Sequence, residues 1–207
     1  MTKKIVTLSG DGIGPEIMAA GLEVLEKVAS KIGFDYDIDA KPFGGAGIDA
    51  EGHPLPKSTL DAAKSADAIL LAAIGGPKYD NAPVRPEQGL LAIRKELNLF
   101  ANIRPVRIFD ALKHLSPLKP ERIKGVDFVV VRELTGGIYF GEHIIEEDKA
   151  RDINDYSAER FVVSCVVLSR LPKVVAKRSL ALINKMFWQL LNCGVRLLMK
   201  FLWSFQM

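Results

Sequence analysis

The feature that most constrains the fold is a regular alternation of short apolar runs with stretches of helical periodicity. Residues 3–8 form an apolar run, and apolar side chains then recur at helical spacing from Ile17 to Ile32. DYDIDA, DAILLAAIGG, FANIRPV and VDFVVVREL are predicted as further strands, with helices at residues 58–66 and 86–97. This alternation is typical of α/β domains with a largely parallel sheet. We expect DAILLAAIGG and VDFVVVREL to be buried, GGAG and GHPLP to be turns, and GGIYFGEHIIEE to be a strand or β-arm that leaves the core.

Charge is distributed very unevenly along the chain. All 25 acidic residues lie at or before Glu159, and the residues after it include eight basic and no acidic ones. The first part therefore carries −5 and the remainder +8, which together give the +3 of the whole chain. Because the basic character belongs to one end only, it does not indicate a nucleic-acid-binding face. The N-terminal apolar stretch is too short for a signal peptide, and no run of about 18 apolar residues indicates a membrane span, so we expect a cytoplasmic protein without a membrane partner.

The turn after the first strand has the sequence GDGIGPE, residues 10–16. Its glycines follow the pattern G-x-G-x-G, which is not the G-x-G-x-x-G fingerprint of a Rossmann dinucleotide site. Taken alone, the pattern favours a tight turn from strand to helix over a dinucleotide site. Pro15 and Glu16 support this prediction, because proline and acidic residues are favoured in the first turn of a helix.

Three arginines and one tyrosine are candidate binding and catalytic residues. Arg94 lies on a predicted helix, Arg104 in a strand and Arg132 at the end of an apolar strand, where an unpaired charge would be costly. Guanidinium groups bind carboxylates in a bidentate manner, so the three arginines could bind a carboxylate ligand. The alternative is that each arginine forms a structural salt bridge. Tyr139 follows Arg132 across a Gly-Gly turn. Its hydroxyl could act as a general acid, or its ring could be an ordinary half-buried strand aromatic.

Four longer segments carry a family resemblance: GDGIGPEI, AAIGGPKYDN, LLAIRKELNLFANIRP and RELTGGIYFGE. Their order and spacing resemble those of the β-hydroxyacid oxidative decarboxylases, the isocitrate/isopropylmalate dehydrogenase family, over residues 1–159. The resemblance implies an α/β fold of two domains with an NAD site that is not of the Rossmann type, present here in truncated form. Residues 1–99 would form the first half of the domain that lines the NAD site. Residues 100–159 would begin the domain for dimerisation and substrate binding.

The resemblance also implies roles for individual residues. Arg94, Arg104 and Arg132 would hold the carboxylates of a malate-type substrate, and Tyr139 would be the catalytic proton donor after decarboxylation. The stretch that would bind the cofactor NAD contains Ile74, Gly75, Gly76, Pro77, Lys78 and Glu87. Leu90, with Leu91, would provide an apolar wall for the isopropyl group of 3-isopropylmalate, against which a third carboxylate would be poorly solvated.

The family further implies Mg²⁺ or Mn²⁺ as a cofactor and a homodimer as the assembly. This chain has no acidic residue after Glu159, where the family's metal-binding aspartates would lie, so we expect it to lack the metal ligands and to be inactive. A related decarboxylating dehydrogenase for isocitrate or tartrate is an alternative. A non-catalytic protein with a basic tail for a membrane surface or a partner is another.

Residues 160–207 are predicted to be an out-of-frame translation. Joining the third base of each codon to the next two bases forces valine across Met186–Phe187, leucine across Phe187–Trp188 and alanine across Trp188–Gln189. The shifted reading of this region is compatible with DKQNVLATSKLWR. The resemblance implies a D-K-x-N-V-L motif with a catalytic lysine downstream of Ser157, and the in-frame chain has none. We therefore place a frame break just after Glu159.

Sequencing the gene around codon 159 tests this prediction. We expect an inserted or deleted base there, and downstream codons whose shifted reading spells the missing motif. An intact frame, with codons for residues 183–195 that give an unrelated shifted peptide, would contradict it.

Overall fold

The computed structural model describes residues 1–157 and 160, so the segment predicted to be out of frame lies outside the described residues except for Arg160. The chain divides into a compact unit from Met1 to Asn98 and a second unit that begins at Leu99. Both units combine strands with helical segments, which confirms the predicted mixed α/β character.

A parallel three-stranded sheet forms the centre of the first unit. Strand β1 (Lys3–Gly10) lies between β2 (Tyr36–Ala40) and β3 (Ala68–Ala73) and pairs in parallel with both. Ile5 is opposite Ile38 on one side and Ala68 on the other. Because all three strands run in one direction, the turns that follow them gather at a single edge of the sheet.

Four helices accompany this sheet: α1 (Gly14–Ile32), α2 (Gly45–Glu51), α3 (Lys57–Ser65) and α4 (Pro86–Glu96). A 3₁₀ turn, Pro77–Tyr79, follows β3. Pro15 occupies the first turn of α1, and Gly33 ends that helix, as predicted. The prediction that GGAG is only a turn is wrong, because helix α2 begins within it. The amides of Gly45 and Ala46 find an acceptor outside the helix, which compensates for a poor helix-forming sequence.

One apolar cluster of the first unit packs around strand β1, and Ile5, Met18 and Ala29 are also buried. The buried apolar side chains of the cluster are Val6, Leu8, Phe43, Leu55, Ala62, Ala63 and Ile93. Phe43 is completely buried, as is Thr59, whose hydroxyl donates a hydrogen bond to the Pro42 carbonyl at 2.7 Å. These contacts fasten the segment after β2 and helix α3 to strand β1.

The prediction that DAILLAAIGG is a buried strand is wrong for the described residues. Strand β3 is an outer strand of the described sheet, and 40% of Leu71 is exposed. Leu70, Leu71 and Val24 line an open apolar groove beside helix α1. Helix α1 covers only part of strand β3, so the apolar composition of β3 alone did not ensure its burial.

The described part of the second unit contains two antiparallel pairs. Strand β4 (Ala101–Arg107) pairs with β5 (Asp127–Glu133), and β6 (His143–Ile145) pairs with β7 (Ala150–Asp152). The shorter pair corresponds to the predicted β-arm. The other elements between Leu99 and Ser157 are the 3₁₀ helix Asp110–Leu115, helix α5 (Pro120–Ile123) and the 3₁₀ turn Gly137–Tyr139.

The prediction that VDFVVVREL is a buried strand is wrong as well. In the described part of the unit, strand β5 pairs only with β4, and about half of Phe128 (49%) and 41% of Val130 are exposed. A ribbon of two strands has two faces to cover, and a pair of this kind is only marginally stable alone.

Replacing Phe43 by alanine should lower the free energy of unfolding of the first unit by about 3–5 kcal/mol, because it empties a fully buried site. Phe34→Ala is the matched control. Its ring is 38% exposed and only stacks on Tyr36, so a loss of about 1 kcal/mol is expected. Urea unfolding followed by far-UV circular dichroism measures both, and equal losses would contradict the assigned core.

Candidate functional site

The GDGIGPE segment forms the tight turn that its sequence favours. Gly10 has a left-handed φ of 68°, and a Cβ atom there would lie 2.0 Å from the Ala73 carbonyl oxygen. Strand β1 therefore passes too close to the end of β3 for any side chain. Asp11 follows directly, and its amide donates to the same Ala73 carbonyl at 2.8 Å.

The carboxylate of Asp11 accepts three backbone hydrogen bonds at the carboxyl edge of the parallel sheet. Oδ2 accepts the amides of Gly45 and Gly75, each at 2.8 Å, and Oδ1 accepts the Ala46 amide at 2.7 Å. One half-buried side chain thus connects the turn after β1, the first turn of α2 and the turn after β3. Ligands of parallel α/β sheets bind outside this edge, where the turns meet.

The segment predicted to bind NAD begins in this cluster. Gly75, with φ of 91°, faces Glu87, since a Cβ on Gly75 would lie 3.0 Å from Glu87 Oε1. Gly76 has open space where a side chain would be. Ile74 instead packs against the apolar core. The structure therefore brings Gly75, Gly76 and Glu87 together, while Ile74 contributes mainly to packing.

Lys78 lies in an ion pair after the glycine turn. Its Nζ is 2.6 and 2.7 Å from the two carboxylate oxygens of Asp49, and the Tyr79 hydroxyl donates to Asp49 Oδ2 at 3.0 Å. The hydrogen bond from Lys78 lowers the pKa of the Asp49 carboxyl, and the same bond raises the pKa of Lys78. Burial raises the pKa of Tyr79, whose ring lies against Gly45. Both charged partners are more than half exposed, so this pair fixes geometry more than it adds stability.

Two predicted substrate residues lie on α4 in the first unit. Arg94 is half-buried and Leu90 packs partly against the apolar core. Leu90 therefore has a structural role within its own unit, and a role as a substrate wall stays a prediction.

The remaining predicted residues lie together in the second unit. Asn102 is opposite Arg132 in the β4–β5 register, and Arg104 follows Asn102 on the same face. The Nε of Arg104 donates to Asn102 Oδ1 at 2.6 Å, and Nη2 of Arg132 donates to the Tyr139 hydroxyl at 2.5 Å. The Arg132 guanidinium also lies 5.1 Å from the centre of the Tyr139 ring. Two cations and a phenol thus share one exposed face, which suits a dianionic ligand.

Glu133 and Tyr156, for which the sequence predicts no role, shape the turn that holds Tyr139. The Glu133 carboxylate accepts hydrogen bonds from the Thr135 amide and hydroxyl and from the Gly136 amide. Tyr156 lies against Gly136 and Gly137, and burial raises the pKa of its hydroxyl. The Gly-Gly pair in the sequence predicts a turn. No sequence pattern predicts that Tyr156, about 20 residues later, covers that turn.

The described residues contain no cluster of three or more His, Cys, Asp or Glu side chains that could hold a metal ion. Within the same residues, no helix combines the length and apolar character needed to cross a membrane.

Residues 4–177 match the family model described as isocitrate/isopropylmalate dehydrogenase. The chain belongs to this family. The match reaches past Glu159, so the frame break stays a prediction.

Curated relatives carry the name 3-isopropylmalate dehydrogenase. The protein of Streptococcus thermophilus (strain CNRZ 1066) is 94% identical over 159 residues, which are 77% of this chain and 46% of the relative. The protein of Streptococcus mutans is 82% identical over 156 residues, which are 75% of this chain and 45% of the relative. The protein of Lactococcus lactis subsp. lactis is 67% identical over 159 residues, which are 77% of this chain and 46% of the relative. The chain spans about half the length of the curated relatives it matches.

Two solved structures resemble the fold. A beta-decarboxylating dehydrogenase from Thermococcus kodakarensis aligns with a TM-score of 0.61 and 26% identity, covering 83% of this chain and 46% of that one. An isocitrate dehydrogenase from Methylococcus capsulatus aligns with a TM-score of 0.67 and 25% identity, covering 97% and 56%.

Gly45→Ala should destabilise the first unit by about 1–3 kcal/mol, because its Cβ would lie 2.3 Å from the Tyr79 ring. The displaced ring would meet water, so the raised pKa of Tyr79 should fall toward its ordinary value of 10.0. Urea unfolding and an NMR titration of the tyrosine rings measure the two effects. Gly21→Ala, in open space on α1, is the control and should be neutral or stabilising. Equal behaviour of the two variants would contradict the assigned contact.

Proposed function

We propose that this chain is the N-terminal part of an NAD-dependent 3-isopropylmalate dehydrogenase. The observation that carries the proposal is the contact of Arg132 with the Tyr139 hydroxyl, on the strand face that also carries Arg104. The high identity to relatives of that name supports the substrate. We expect the complete protein to be a cytoplasmic homodimer of two domains.

The residues after β3 fit a dinucleotide. Gly75 and Gly76 leave a side-chain-free stretch of backbone at the carboxyl edge of the sheet, with Glu87 beside it. Lys78 and Pro77 follow in the next turn. When bound there, NAD would accept a hydride from the hydroxyl-bearing carbon of the substrate. Because the glycine pattern is not G-x-G-x-x-G, we propose that the site is not of the Rossmann type.

The arginines would bind and orient the substrate. Arg104 and Arg132 present fixed cations on one strand face, and Arg94 would add a third from α4. Guanidinium groups that hold the two carboxylates fix the reacting carbon relative to the cofactor, which lowers the entropic cost of reaction. Leu90 would exclude water from the isopropyl group, so a substrate with a third carboxylate would bind poorly.

Tyr139 would supply a proton to the carbon from which carbon dioxide leaves. Its hydroxyl accepts a hydrogen bond from Arg132, so its own proton is free to point toward a bound substrate. Arg132 would therefore have two functions, since it holds both a substrate carboxylate and the proton donor.

We propose no ligand set for the divalent metal that the family implies. Three carboxylates or imidazoles do not converge anywhere in the described residues, so this part of the chain assigns no ligand to a metal ion. We expect the 207-residue chain alone not to reduce NAD with 3-isopropylmalate and Mg²⁺.

Joining residues 1–159 to the remaining segment of the Streptococcus thermophilus relative gives a completed chain, which tests the proposal. We expect it to reduce NAD with 3-isopropylmalate, followed by absorbance at 340 nm. Tyr139→Phe should lower kcat about 10²- to 10⁴-fold, because it removes a general acid. The control is Tyr36→Phe at the beginning of β2, opposite Lys3 at the start of β1, which should leave kcat unchanged.

Turnover by the 207-residue chain itself would contradict the expected inactivity. A completed chain that binds both ligands but shows no turnover, or a Tyr139→Phe variant with unchanged kcat, would overturn the assigned chemistry.

A further inference from the structure

We propose that Asp11 is a positioning residue for the dinucleotide site, acting through the backbone of Gly75. This inference rests on the proposed function and adds a residue that the glycine pattern did not single out. Asp11 lies within GDGIGPE, whose glycines are explained by the tight turn, whereas that turn alone does not require a carboxylate.

The hydrogen-bond pattern identifies the side chain as an organiser of three turns. Its two oxygens accept three amides, from Gly45, Ala46 and Gly75, at 2.7–2.8 Å. All are short bonds to a carboxylate, which is a stronger acceptor than a neutral group. The donors come from segments 34 and 64 residues away in sequence, so no local interaction could replace this arrangement.

Gly75 has a neighbouring carboxylate on each of two sides. On one side its amide donates to Asp11, and on the other its backbone faces the carboxylate of Glu87. Glu87 is itself paired with Arg85 at 3.5 Å. The position of the Gly75–Gly76 backbone, which would approach the dinucleotide, therefore depends on the Asp11 carboxylate. Without it, the Gly75 amide would lose its hydrogen bond, and Ile74 would attach the turn to the core only by apolar packing.

Asp67 offers a matched comparison on the same sheet. Its carboxylate accepts the Lys4 amide at 2.9 Å and pairs with Lys3, so it also ties backbone and side chains together. It does so at the beginning of β1 and β3, at the opposite edge from Gly75. A general loss of sheet stability would follow from either substitution, whereas an effect on cofactor binding should follow from Asp11 alone.

The test uses Asp11→Ala, Asp11→Asn and Asp67→Ala. Alanine removes both acceptor oxygens and therefore all three hydrogen bonds. Asparagine retains one oxygen, which keeps the bonds to both Gly45 and Gly75 when it takes the Oδ2 position, and leaves the Ala46 amide unpaired. Amide hydrogen exchange of the 207-residue chain, resolved by NMR, should therefore accelerate about tenfold or more at Gly75 in Asp11→Ala. In Asp11→Asn it should accelerate chiefly at Ala46. Asp67→Ala should change neither amide relative to the Gly44 amide, which bonds to Pro54.

In the completed chain, Asp11→Ala should raise the KM for NAD about tenfold and change kcat by less than about threefold, because the effect is on binding. Asp11→Asn, which retains the Gly75 bond, should leave the KM close to that of the parent, and Asp67→Ala should match the parent. Unchanged exchange at Gly75 in Asp11→Ala would overturn the proposal, as would faster exchange with an unchanged KM. If the parent completed chain binds no NAD, the proposed function fails and the cofactor role of Asp11 fails with it, whereas the exchange data still decide whether Asp11 holds Gly75.

Discussion

The parallel pairing of β1 with both of its neighbours is the constraint on which the first unit depends. It makes β1 the central strand and brings the turns that follow all three strands to one edge. A single short side chain at the end of β1, that of Asp11, can then reach two other segments. Backbone amides left unpaired at this edge would be costly, and the carboxylate satisfies three of them. The candidate cofactor segment is thus built onto the best-buried strand of the unit.

The second unit builds its part of the site differently. An antiparallel ribbon places Arg104, Asn102 and Arg132 on one face, and a glycine turn returns Tyr139 to Arg132. Charges on an exposed ribbon have little desolvation penalty because water solvates them. Their attraction to a ligand becomes stronger when that ligand excludes the water. Glu133 and Tyr156 fix the turn, so the tyrosine is oriented by its surroundings before any ligand binds.

Both units expose apolar side chains on an outer strand. Leu71 on β3 and Phe128 on β5 belong to apolar strands, yet each is at least 40% exposed in the described residues. Relatives of the chain are about twice as long as the segment they share with it. Both are outer strands of their described sheets, and exposed apolar edge strands favour edge-to-edge association with other chains.

The sequence by itself determined the elements and their order. Apolar period and glycine or proline punctuation located β1, α1, α3, α4, β4 and β5 to within a few residues, because these signals are local. The sequence placed Tyr139 after Arg132 across a Gly-Gly turn, whereas the hydrogen bond between them is a finding of the structure. Tertiary structure alone decided which apolar strands are buried, that GGAG begins a helix, that Lys78 pairs with Asp49, and that Asp11 holds Gly75. Each of these depends on groups 29 to 64 residues apart or on the presence of a covering layer, and no local pattern encodes such contacts.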